Sequence, residues 1–188
     1  QIMKQVPVRF DSKTLHIPAH SAEKLSSLKD MEWSNFLKRV CSLLESSEKS
    51  TGAARSKLNL LSYLCTVAVH RDMANRLISS QLFPILMQQL RAASTWDIRA
   101  KVARVVGLLA LHTSDLAENV PVAEAVTLLT DLIRENFRNS KLKQCFLPAL
   151  GELLYLMARE EEKAEQPRAG WAVPCAAYTV LVRCLREG

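Results

Sequence analysis

The stretch Asp97-Ile98-Arg99-Ala100-Lys101-Val102-Ala103-Arg104-Val105-Val106-Gly107-Leu108-Leu109-Ala110 decides how this chain is read. Its apolar residues recur every three or four positions, which places them on one face of a helix. Asp97 stands where a carboxylate meets the free N–H groups of a helix start. Gly107 sits inside the apolar run. The Asp-x-Arg opening and the Leu-Ala close resemble the second helix of a HEAT repeat.

Two further helices carry the same signature. Leu61-Ser62-Tyr63-Leu64 and Leu150-Gly151-Glu152-Leu153 each set a small residue in an apolar run, and Ser62, Gly107 and Gly151 lie 45 and 44 residues apart. The cations Arg55, Arg99 and Lys143 precede them at spacings of 44 and 44. The helices between also end alike, as LMQQLR at 86–91, LTDLIR at 129–134 and LVRCLR at 181–186. A period near 44 falls in the range of about 40–47 residues expected of HEAT and armadillo arrays. The expected fold is therefore all-α: a right-handed solenoid of HEAT/armadillo-type helical pairs, about three and a half repeats long.

Seven main helices are predicted, at 32–46, 53–69, 82–92, 97–112, 121–136, 140–160 and from Pro174 to the chain end, with a short one near 72–79. Trp33, Phe36, Leu37, Val40 and Leu44 are the expected inward residues of the first helix, and Leu58, Leu61, Leu64, Cys65 and Ala68 those of the second. Ser140 is expected to cap the sixth helix, and Pro148 and Gly151 to kink or break it. Glu160-Glu161-Glu162-Lys163 and Pro167 read as an acidic loop between repeats. Residues 1–20, with Pro7 and Pro18 and no helical period, read as a linker or extended lead-in, and 21–188 as the repeat domain. A start at Gln1 and an end at Gly188, in mid-helix, read as cuts at both ends, leaving the last pair without its second helix.

Composition agrees with a folded chain. Of the 188 residues 48% are hydrophobic and 23% charged, with only 5 Gly and 6% aromatics, which favours helix over strand and excludes a disordered tract. Cys41, Cys65, Cys145, Cys175 and Cys184 form no C-x-x-C pair and sit mostly among apolar residues in helical patterns; they read as reduced core thiols of a cytosolic protein. The longest uncharged run, 171–182, is short of the ~20 residues of a membrane span.

Motifs of catalysis are missing from the sequence. It holds no Gly-rich phosphate loop, no H-E-x-x-H, no G-x-S-x-G and no kinase catalytic motif, so no catalytic residue, cofactor, metal or small-molecule substrate is expected. His16 and His20 are four apart but straddle Pro18, which disfavours a helical metal site. The net charge of +6 is the remaining lead. In a solenoid the second helices line one surface. Arg55, Lys57, Arg99, Lys101 and Lys143 would then form a basic ladder attracting an acidic protein partner. Arg134 and Arg138 add to the charge near the fifth-to-sixth turn. Trp33, Trp96 and Trp171 are too scattered to interleave with these cations, which argues against nucleic acid.

Several words of sequence carry a family resemblance: Pro18-Ala19-His20-Ser21-Ala22-Glu23-Lys24-Leu25, Lys57-Leu58-Asn59-Leu60-Leu61, Trp96-Asp97-Ile98-Arg99, the run LIRENFRNSKL at 132–142 and Trp171-Ala172-Val173-Pro174. The chain resembles the region after the kinase-like domain in pseudokinases of the unc-51-like/Fused group. The resemblance implies a parent with an N-terminal, ATP-binding, kinase-like domain and links to microtubules, cilia and neuronal development. None of the family's nucleotide-contacting motifs occurs here. The expected function is that of a non-catalytic scaffold, cytoplasmic with ciliary or cytoskeletal placement. The alternatives are a module docking on its parent's kinase-like domain, or direct binding of tubulin through the ladder.

Overall fold

The computed structural model describes residues 9–93, 95–163, 173 and 175–187. Among them the chain forms nine α-helices and no strand: α1 (Ala22–Ser27), α2 (Asp30–Glu45), α3 (Thr51–Ala68), α4 (Arg71–Ile78), α5 (Leu82–Ala92), α6 (Trp96–His112), α7 (Val122–Glu135), α8 (Ser140–Lys163) and α9 (Cys175–Glu187). The helices predicted from apolar spacing are all present, and α1 is an addition. It is a short element started by Ser21, whose Oγ accepts from the Lys24 N–H at 3.2 Å.

The helices pack in two rows. In one, α2 lies against α5, α5 against α7 and α7 against α9. In the other, α3 lies against α6 and α6 against α8. Sequence neighbours α2/α3, α5/α6 and α7/α8 bridge the rows, and α4 wedges beside α3 and α6. Ser62, Gly107 and Gly151 thus occupy the three helices of a single row. A continuous apolar core runs between the rows from Leu15 and Ile17 at one end to Ala177 and Val180 at the other. Phe36, Leu37, Val40 and Leu44 of α2 and Leu61, Leu64, Cys65 and Ala68 of α3 are buried as their spacing requires, with Trp33 and Leu58 partly covered.

Residues 9–20 form no helix, yet they are fastened across α3. Asn59 Nδ2 donates to the Asp11 carbonyl at 2.8 Å, and Tyr63 Oη donates to the His20 carbonyl at 2.6 Å. The Phe10 ring stands edge-on to Tyr63 at 5.1 Å. Leu15 and Ile17 reach the core.

Three local expectations are corrected. α8 is not broken at Pro148 or Gly151 but continues through both: Phe146, Ala149, Leu150 and Leu153 of the same turns are buried, and that packing outweighs the single hydrogen bond a proline removes. The acidic stretch at Glu160–Lys163 is the end of α8 and not a loop. Glu and Lys are good helix formers, and Glu160 is buried with Arg159 and Lys163 nearby at 3.7 and 3.6 Å. The cap of α8 is Asn139, whose Oδ1 accepts from the Leu142 N–H at 3.1 Å, and not Ser140. Pro167 and Trp171 lie outside the described residues.

Candidate functional site

Five cations were expected to share a surface, and they differ in burial and in partners. Arg55, near the start of α3, is exposed. Lys57, one half-turn on, is buried with 4% exposure. Its ammonium donates to Glu48 Oε1 at 2.8 Å, the Ser46 carbonyl at 2.9 Å and Gln89 Oε1 at 3.3 Å. Lys57 is thus removed from the ladder: it points into the joint between α2, α3 and α5, where partners replace the water it has lost. Arg99 is half-buried. Its Nε donates to the Ala93 carbonyl at 2.9 Å, its Nη2 to the Arg91 carbonyl at 3.1 Å, and its guanidinium lies 4.4 Å from the Trp96 ring centroid. Lys143 is also half-buried, with Nζ 4.4 Å from the centre of the Phe137 ring. Lys101, half-buried on α6, stands with Arg104 close enough to the Cys65 and Cys145 thiols to favour their ionised forms.

A rule emerges that sequence spacing alone did not reveal. Four helix C-caps are each bound by a cation from another helix. The α1 cap Leu28 receives Arg76 Nη2 at 3.3 Å, and Arg76 Nη1 also reaches the Leu25 carbonyl at 2.9 Å. Lys57 binds the α2 cap Ser46, and Arg99 the α5 cap Ala93. The α6 cap Thr113 receives Arg159 Nη2 at 2.7 Å. The last carbonyls of a helix lack intrahelical donors and carry the negative end of its dipole, so a cation satisfies both needs. Much of the positive charge is therefore structural. The signal available in the sequence was only that Arg99 recurs in register; Arg76 and Arg159 carried none.

Another group of cations gathers at one corner. Where α7 ends and α8 begins, and where α9 passes, a cavity of about 460 Å³ is lined by Arg134, Arg138, Arg183, Asn136 and Asn139 around Phe137. The Phe137 ring is buried, and Arg183 Cζ stands 3.8 Å from its centroid. Arg134 pairs with Asp131 at 2.8 Å on the exposed surface. Lys141 is exposed on the first turn of α8. The expected cluster around this turn is present, and α9 adds Arg183 to it.

The thiols differ in burial, and exposed Cys175 departs from the core position its helical pattern suggested. Burial pushes the Cys65 thiol up to about 11 despite Lys101 and Arg104, and raises Cys41 and Cys145 as well. Such thiols are poor nucleophiles. Cys175 is exposed and Cys184 half-buried. His16 Nε2 lies 3.3 Å from Ser56 Oγ. Burial, with His70 nearby, lowers the His112 imidazole below its usual range. Among the described residues, no helix is long and apolar enough to cross a membrane.

Comparison with known proteins gives the chain its relatives. It is 66% identical over all 188 residues to the mouse serine/threonine-protein kinase ULK4. The chain resembles the C-terminal part of an unc-51-like kinase. It is also 27% identical, over 150 residues and 74% of its length, to the serine/threonine-protein kinase RUNKEL of Arabidopsis thaliana. The chain spans 14% of the mouse relative and 11% of the plant one. No family model matches the chain, and no solved structure matches it.

Proposed function

We propose that this chain is a non-catalytic protein-interaction scaffold, built as a right-handed HEAT/armadillo-type solenoid within a kinase-related parent. One observation carries the reading: the two rows of helices repeat with the sequence period. The hydrogen bonds joining Asn75 to Ser114 and Arg159 to Thr113 span 39 and 46 residues, about one period each. Contacts that reach only to the neighbouring unit are what a solenoid requires, and such arrays present long surfaces to partner proteins. Ciliary or microtubule-associated partners are part of this proposal, by analogy with the unc-51-like group.

The test compares the parent protein with a version lacking residues 21–188. Partners recovered by affinity capture and identified by mass spectrometry should drop out on deletion. An unchanged partner set would remove the scaffold reading. A second reading is favoured by the names of both relatives, each a serine/threonine-protein kinase. In it, the repeats dock on the parent's kinase-like domain and regulate it. Nucleotide affinity measured with and without residues 21–188 decides this, and equal affinities exclude it.

A further inference from the structure

We propose that the corner formed by the end of α7, the start of α8 and the middle of α9 is a docking site for an acidic peptide segment of a partner protein. The proposal rests on the scaffold reading and names the surface that the ladder does not supply. Lys57, Arg76, Arg99 and Arg159 are bound to helix-end carbonyls. Arg134, Arg138 and Arg183 line a cavity of about 460 Å³ together with Glu135, and Lys141 and Lys143 stand on the adjoining first turn of α8.

Three features suit that cavity to carboxylates. First, the cations are held in place. The buried Phe137 ring has the Lys143 ammonium 4.4 Å and the Arg183 guanidinium 3.8 Å from its centroid, so two flexible side chains lose little further freedom on binding. Second, α8 runs 24 residues from this corner, and its first N–H groups add positive potential; Asn139 caps one of them through Leu142. Third, Arg138 of the α7–α8 turn, Lys141 of α8 and Arg183 of α9 come from different segments, which fits anionic groups spaced along a peptide.

A nucleic acid fits less well. Phe137 is buried and offers no open ring for a base to stack on. Glu135 lines the same cavity and Asp131 pairs with Arg134 beside it. A continuous phosphodiester backbone would run past both carboxylates, whereas a peptide can place its acidic side chains on Arg138 and Lys141 and avoid them.

Fluorescence polarisation of the 188-residue chain with a fluorescein-labelled Glu-Gly repeat peptide tests this. The chain should bind the peptide at low salt, ignore a Gln-Gly control, and lose affinity as the Debye length shrinks toward roughly 8 Å at physiological salt. Arg138→Glu/Lys141→Glu changes two exposed positions and should weaken binding about tenfold or more. Arg55→Glu, exposed on α3, should leave it unchanged. If the reversed variant melts early, Arg138→Ala/Lys141→Ala replaces it, with the same sign expected. Three results would overturn the proposal: no binding of the Glu-Gly peptide, equal losses from Arg55→Glu and the corner variant, or tighter binding of a single-stranded oligonucleotide that depends on Arg138 and Lys141. Failure of the corner with partner capture by residues 21–188 intact would leave the scaffold reading standing.

Discussion

Replacing Lys57 by Met removes a buried ammonium and keeps most of its apolar stem. The structure sets the cost. The Lys57 and Glu48 side chains are 3% and 8% exposed and lie 2.8 Å apart. The same ammonium also serves the Ser46 carbonyl and Gln89 Oε1. Removing one partner of a buried ion pair costs about 3–5 kcal/mol, chiefly because the remaining charge stays desolvated. Met supplies none of the three donors. The low end of the range applies here, because Glu48 has a further interaction. A loss of about 3 kcal/mol lowers the melting temperature by roughly 6–12 °C in a domain of this size. Thermal and urea melts followed by circular dichroism measure it, with Arg55→Met as the exposed control, which should move by less than about 0.5 kcal/mol. Lys57→Met/Glu48→Leu should recover part of the loss, because it also removes the desolvated carboxylate. A Lys57→Met loss under about 1 kcal/mol, or a double variant equal to the sum of the singles, would refute a joint held together by this ammonium.

The same contacts set other expected outcomes. Arg99→Ala removes two bonds to the end of α5 and the Trp96 stack, and should cost about 1–2 kcal/mol in urea melts. Tyr63→Phe deletes the 2.6 Å bond to His20 and should cost about 1 kcal/mol while speeding proteolysis within residues 9–20; equal proteolysis would argue against the fastening. Thiol titration with Ellman's reagent at neutral pH should modify exposed Cys175 first and Cys65 last, since burial holds the Cys65 thiol protonated up to about 11. The folded chain therefore keeps protons on Cys65, and on Tyr63 up to about 12, that the unfolded chain releases near 9 and 10. The contribution of these two groups should stay level below pH 9 and fall as pH rises through this window, with Cys65→Ala removing its early part. His112 behaves oppositely: the fold prefers it neutral, so its contribution is lost as pH drops below its usual value of 6.5, and His112→Gln should flatten that limb.

The helices were legible because their cause is local. Apolar residues three and four apart, with Asp97 in the first turn of α6, fix where a helix runs and which stripe it buries. The recurrence of Ser62, Gly107 and Gly151 at spacings of 45 and 44 likewise announced equivalent helices, and those helices form one row. The role of each cation was not legible. Arg55 and Lys57 are two positions apart with similar neighbours in sequence, yet one is exposed and the other buried. What separates them is the α2 C-terminus and Gln89 of α5, both brought to Lys57 only by packing. The same holds for Arg183, whose place beside Phe137 depends on α9 lying against α7. Sequence by itself determined the helices, their period and the excess of positive charge. Tertiary structure decided which charges close helix ends and which converge on a surface, because a helix-end carbonyl takes its cation from another helix, and the packing of the rows chooses which.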